Sequence, residues 1–179
     1  IVSAKRTAAS AAIAARVLHA GAPPTQIGLL GCGVINFETL GFLLAVWPGI
    51  GRVGLFDVSA ARCAAFAARA RARFPDVELA VAPDGRELFA DCAIISIATT
   101  AMRPYVGELP AGALRTVLHL SLRDLAPEVV LAADNVVDDA DRRLALVGAL
   151  DEIAQNLLHQ RFLAGVGRHG LHIFRRSLL

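Results

Sequence analysis

Cysteine is scarce in this chain, and the three present, Cys32, Cys63 and Cys92, show neither metal-ligand spacing nor an even-numbered framework. That argues against a zinc-stabilised fold and a disulfide scaffold, so no metal site is expected. It reads as reduced core thiols in a cytoplasmic protein. Charge of one sign is also missing. The net charge of +2 is too small to argue for nucleic acid. The arginines are scattered at helical spacings, as at Arg62, Arg69 and Arg73, and read as a solvated helix face. No run of 18 apolar residues occurs, so no membrane span is expected. The opening IVSAKRTAAS lacks the charged-then-apolar layout of a signal peptide. Internal repeats and low-complexity linkers are absent, and Lys5 is the one lysine. What is abundant is apolar: 55% of the 179 residues are hydrophobic, enough for one domain with a full core.

The apolar pattern resolves into alternating elements. Ser3–His19 is Ala-rich with helical spacing and stops at the Gly21–Pro24 turn. Short apolar runs read as strands at Gln26–Leu30, Arg52–Asp57, Val77–Ala82, Cys92–Ala98, Thr116–Leu122 and Asn135–Asp138. Helices are expected at Asn36–Val46, from Ser59 as cap through Phe74, and at Pro127–Ala133. A short helix or turn fits Asp84–Ala90, and a long helix Asp141–His159. Continuous apolar strands alternating with helices predict an α/β fold. The expected form is a doubly wound parallel sheet of the Rossmann dinucleotide-binding type.

The stretch IGLLGCGVINFETL nearly spells the dinucleotide fingerprint G-x-G-x-x-G, with Asn36 in place of the third glycine. Gly31 permits the sharp turn out of the strand. Gly33 lets a pyrophosphate approach the backbone at the helix N-terminus, where free N–H groups and the helix dipole favour an anion. Val34, Ile35 and Asn36 complete the candidate loop. Asn36 packs less closely than glycine, so the helix is expected slightly further out, with its amide suited to capping or to a phosphate oxygen. Asp57 ends the next strand about 20 residues on, where a carboxylate accepts ribose hydroxyls and repels a 2′-phosphate. The plain alternative makes Asp57 an N-cap. Thr99 and Thr100 follow the fourth strand at the sheet edge where ligands lie, and either line the nicotinamide side or merely end the strand.

Four stretches, IGLLGCGVINFETLGFLLAVWP, VGLFD, SIATTA and above all LHLSLRDLAPEVVLAADNVVDD, resemble the ornithine cyclodeaminase/mu-crystallin family. They look most like its 2,3-diaminopropionate branch, over roughly Ser3 to Asp141. Members of the family do not require the third glycine, so Asn36 is no objection to nucleotide binding. The resemblance implies an NAD-dependent oxidation of the carbon beside a secondary amine. Hydrolysis of the imine then gives 2-oxoglutarate and 2,3-diaminopropionate, a precursor of siderophores and peptide antibiotics. It implies that Asp124 is the catalytic acidic residue near the substrate nitrogen, where helix capping is the structural alternative. It further implies that Arg6 reaches the cofactor's phosphates, and that Ser121 lies where the backbone meets the nicotinamide. His119, beside it, is read as structural. Asp138 and Asp139 match the family's VVDD strand end, and fit an exposed strand terminus equally.

Members of the family are about twice this length. Their further domain carries substrate-carboxylate ligands and a lysine and forms a homodimer. Residues 1–20 are therefore expected to lead in from a substrate domain, 21–141 to form the NAD-binding domain, and 142–179 a helix and divergent tail. The chain begins with Ile inside a helical pattern and is expected to be truncated. A cofactor half alone should have little activity, because the groups that orient the amino-acid substrate are missing. Two other readings are kept open. One is an ornithine cyclodeaminase or alanine dehydrogenase type member. The other is a non-enzymatic NAD(P)H-binding module.

Overall fold

A computed structural model describes residues 2–110, 115–121 and 123–137 and the backbone of 171–175. Five helices are described: α1 (Val2–Leu18), α2 (Val34–Val46), α3 (Ala60–Arg73), α4 (Glu87–Asp91) and α5 (Pro127–Leu131). The strands are β1 (Gln26–Leu30), β2 (Arg52–Phe56), β3 (Glu78–Val81), β4 (Ile94–Ile97), β5 (Arg115–His119), β6 (Asp134–Val137) and β7 (Leu171–Arg175). They form one sheet in the order β3-β2-β1-β4-β5-β7-β6, with every pairing parallel. Because β1 lies between β2 and β4, the chain winds outward in both directions from it. That reversal opens a crevice at the carboxyl ends of the central strands.

Apolar residues cover both faces. On one, α1, α2 and α3 close over Leu29, Val53, Leu55 and Leu118; on the other, α4 and α5 close over Ile95, Ile97 and Val117. The alanines of α1 (Ala4, Ala8, Ala11, Ala12 and Ala15) are buried and let this helix approach α2 closely. Its direction is fixed at the far end. His19 sits with Nδ1 3.2 Å from Thr116 Oγ1, at the start of β5, and Nε2 3.1 Å from the carbonyl oxygen of Ala22. The carboxyl end of α1 therefore lies at the amino edge of the sheet, and its amino end points toward the crevice.

Two parts of the sequence reading change. Arg69 and Arg73 are not merely solvated. The Arg69 guanidinium lies 4.2 Å from the centre of the Phe37 ring, and Arg73 lies 5.4 Å from that of Phe74. The second change is β7. Its residues fall in the expected divergent tail, yet they form a parallel strand inserted between β5 and β6. The helix expected at Asp141–His159, and Asp138 and Asp139, lie outside the described residues.

Candidate functional site: a nucleotide cleft at the carboxyl edge

One row of the sheet builds the site. Leu30 is in register with Phe56 and Ile97, and Ile97 with His119. The residues that follow these strand ends, Gly31, Asp57, Ala98 and Ser121, therefore share the same edge. Gly31, Asp57 and Ala98 border a cleft of about 640 Å³, within the usual size of a small-molecule site. Gly31, Gly33, Asp57, Thr99, Thr100 and Tyr105 are among its walls.

Gly31 has φ +92°, and a Cβ there would stand 2.3 Å from the Ala98 carbonyl oxygen. Glycine is required on both grounds. Gly33 is the N-cap of α2, offers no side chain to the first turn, and would place a Cβ in open space. The first-turn N–H groups are left uncapped by any side chain, at the wall of the cleft. Asp57, with 6% of its side chain exposed, accepts the Cys32 N–H at 2.9 Å and the Ser59 N–H at 2.9 Å. The carboxylate therefore holds the loop and still fronts the cleft. It is not the cap of α3, since Ser59 takes that role. A dinucleotide fits this donor set: uncapped N–H groups suit its phosphates and an oriented carboxylate suits a ribose.

Asn36 behaves differently from the sequence expectation. It is completely buried, and its amide nitrogen donates to the carbonyls of Leu30 and Gly31, each at 2.7 Å. Its amide oxygen accepts the Ser96 hydroxyl at 2.7 Å. Both amide hydrogens are engaged by these carbonyls, so Asn36 braces the turn from beneath and has none to offer a phosphate. Asn36→Gly, which would complete the glycine fingerprint, is accordingly expected to destabilise the fold by about 2 kcal/mol or more, measured by urea unfolding. Val34 is about half exposed beside the loop, while Ile35 packs against the core.

At the other end of the cleft, Thr99 and Ser121 both donate hydroxyl hydrogen bonds to the Asp124 carboxylate. His119 Nε2 lies 3.0 Å from Asp124 Oδ2. His119 and Asp124 are buried, with 1% and 0% of their side chains exposed. Burial alone would raise the Asp124 pKa, but the bonds from His119, Ser121 and Thr99 outweigh it and hold the carboxyl below its ordinary value. The capping alternative fails, because Ala126 is the N-cap of α5 and Pro127 follows it. Tyr105 and Val106 both donate their N–H groups to the Asp124 carbonyl at 3.0 Å, which fixes Tyr105 in the cleft wall. Burial first, and then the Asp124 charge, push its phenol up.

The structure thus gathers Gly31, Gly33, Asp57, Thr99 and Thr100 around the cleft and places Asp124 and Ser121 behind it. Arg6 is exposed and lies on the first turns of α1, at the crevice end of that helix, without lining the cleft. The sequence reading passed over Tyr105 and Arg86, which both line the cleft, and the part played by His119. It also treated Arg62 as surface, whereas its guanidinium sits 3.8 Å from Asp57 at the cleft rim. For His119 a usable signal existed: it ends a buried strand at the edge where Asp57 and Thr99 lie.

The strand order, the Gly31–Gly33 turn and the acidic end of β2 define a Rossmann-type dinucleotide-binding fold. Residues 1–118 match the Ornithine cyclodeaminase/mu-crystallin family, and the chain belongs to that family. It is 29% identical over 141 residues to the N-((2S)-2-amino-2-carboxyethyl)-L-glutamate dehydrogenase of Staphylococcus aureus, covering 78% of this chain and 41% of that protein. Among solved structures it resembles Thermococcus litoralis Δ1-pyrroline-2-carboxylate reductase in complex with NADH and L-proline. The TM-score is 0.74 at 20% identity, over 99% of this chain and 60% of the other. An archaeal alanine dehydrogenase dimer with bound NAD gives a TM-score of 0.72 at 21% identity, with coverage of 99% and 60%. The chain therefore spans between two fifths and three fifths of the length of these relatives.

Proposed function

We propose that this chain is the cofactor half of an NAD-dependent oxidoreductase acting on an amino-acid C–N bond, with N-(2-amino-2-carboxyethyl)-L-glutamate as substrate. The observation that carries the cofactor reading is the meeting of Asp57 with the uncapped start of α2 across one cleft. The likeness to the Staphylococcus aureus dehydrogenase supports the substrate. When bound, the nicotinamide supplies a hydride acceptor for the carbon beside the amine. The chain's own residues bind and orient. Gly31 and Gly33 admit the pyrophosphate, Arg6 reaches toward it from α1, and Asp57 holds the adenosine ribose.

Val34 and Ile35 flank the loop, and Asn36 holds its shape. Thr99 and Thr100 border the nicotinamide side. Asp124 is enclosed, so it acts from behind the cleft wall: it accepts the Thr99 hydroxyl bond and so holds that residue on the nicotinamide side, and its charge favours a positive iminium in the cleft. The amino-acid substrate and a homodimeric assembly belong to this proposal, as does a cytoplasmic setting.

A fluorescence titration with NADH, run in parallel with NADPH, tests it. NADH is expected to bind more tightly, and Asp57→Ala to weaken NADH about tenfold or more. With Arg62 left facing the ribose, the same variant should narrow the preference over NADPH. Equal affinity of the parent for both nucleotides, or an unchanged NADH affinity in the variant, contradicts the assignment of Asp57.

A further inference from the structure

The glycine loop carries a second chemistry that nucleotide binding leaves unused. Cys32 stands between Gly31 and Gly33, and Cys63 faces it from α3 with the two Sγ atoms 3.7 Å apart. Both are nearly enclosed, Cys32 at 9% exposure and Cys63 at 3%. Each is tied to the acidic end of β2. The Cys32 N–H donates to the Asp57 carboxylate at 2.9 Å, and the Cys63 thiol lies 3.8 Å from the Asp57 carbonyl oxygen. The third cysteine, Cys92, is set apart under β1, with Gln26 Nε2 3.6 Å from its sulfur.

We infer that Cys32 and Cys63 form a dithiol site that undergoes exchange with small-molecule disulfides, and that closing the Cys32–Cys63 bond disables the cofactor cleft. The step balances. The Cys32 thiol loses its proton and attacks one sulfur of the disulfide, whose other half leaves as a thiol. The Cys63 thiol then loses its proton and attacks Cys32, and the second half leaves as a thiol. Two protein thiols are oxidised, and one external disulfide is reduced to two thiols.

A disulfide needs its sulfurs about 2.05 Å apart, so the 3.7 Å separation must close by about 1.7 Å. Upstream the loop has little freedom to absorb that shift, because Gly31 is held at both ends, by its N–H on the Phe56 carbonyl at 2.7 Å and by the Asn36 amide on its own carbonyl at 2.7 Å. The movement falls on Cys32 and Gly33, and so on the Asp57 bond and the first turn of α2. Burial pushes the Cys32 thiol up, so exchange proceeds slowly until the loop opens.

The effect on binding rests on the cofactor reading above, whereas bond formation does not, so the two are measured separately. The full chain is incubated with oxidised glutathione, its remaining thiols are trapped, and intact mass, linked peptides and NADH affinity are recorded. The expected result is a chain lighter by about 2 Da before trapping, with Cys32 linked to Cys63 and Cys92 still trappable. NADH affinity should fall at least about tenfold and return on reduction. Cys63→Ala should stop at the glutathione adduct on Cys32. Adducts on the parent chain without an internal link, a link that includes Cys92, or a Cys32–Cys63 link with unchanged NADH affinity would each overturn the inference. If the reduced chain fails to bind NADH, the cofactor reading falls and takes the binding effect with it, while the mass measurement still decides the bond.

Discussion

Gly31→Ala is expected to abolish NADH binding and to lower stability by at least about 2 kcal/mol, an effect large for a single methyl group. The added Cβ would meet the Ala98 carbonyl oxygen at 2.3 Å, and the residue would have to keep φ near +92°. Neither partner yields easily. Ala98 donates its own N–H to the Leu30 carbonyl at 3.0 Å, and Gly31 donates to the Phe56 carbonyl at 2.7 Å, so both sides of the clash are held by the sheet. Moving the loop outward would also stretch the two Asn36 bonds to Leu30 and Gly31. Gly33→Ala gives the contrast, since a Cβ there meets nothing within 4 Å. That variant should keep the parent stability and lose nucleotide affinity, because its methyl group projects where the pyrophosphate approaches. Denaturant unfolding and NADH titration of the two variants separate a structural glycine from a ligand-facing one.

Asp124→Ala is expected to cost more stability still, about 3 kcal/mol or more. It would remove the acceptor shared by His119, Ser121 and Thr99 and leave a void against the buried His119 ring, while Ser121 would keep only its 3.3 Å bond to the Ile97 carbonyl. Asp124→Asn keeps the volume but turns a two-oxygen acceptor into one acceptor and one donor, so most of the loss should persist. The pH dependence gives an independent check. The folded-state pKa of Asp124 lies below its ordinary value of 3.8, so its stabilising contribution is complete above the unfolded pKa. It is lost as pH falls through the lower, folded value. The part of the stability gap between the parent and Asp124→Asn that comes from this carboxylate should therefore shrink on acidification below about pH 4. A gap that does not change with pH would show that the carboxylate charge contributes nothing.

The strands were readable because parallel strands buried on both faces are written as unbroken apolar runs: IGLL, VGLF and AIISIA need no partner to be recognised. Gly31, Gly33 and Asp57 were readable for a related reason, since the strand–turn–helix unit and the strand beside it fix their mutual positions locally. Asn36 was only half readable. Its place in the fingerprint was evident, but its bonds reach down to Ser96, 60 residues away, across the β1–β4 pairing. The Thr99–Asp124 and Cys32–Cys63 contacts likewise depend on which strands become neighbours, which local pattern does not encode. β7 escaped because its few residues sit among glycines and arginines at the end of the chain, where a lone apolar run reads equally well as a tail.

The central claim, that a dinucleotide lies against the loop after β1, the end of β2 and the segment after β4, is tested most directly by amide hydrogen exchange with and without NADH. The account predicts slowed exchange at residues 31–36, 57–62 and 98–105, with the amino edge of the sheet around residues 20–26 unaffected. Binding with protection elsewhere, or a folded sample with no change at those three segments, would contradict it.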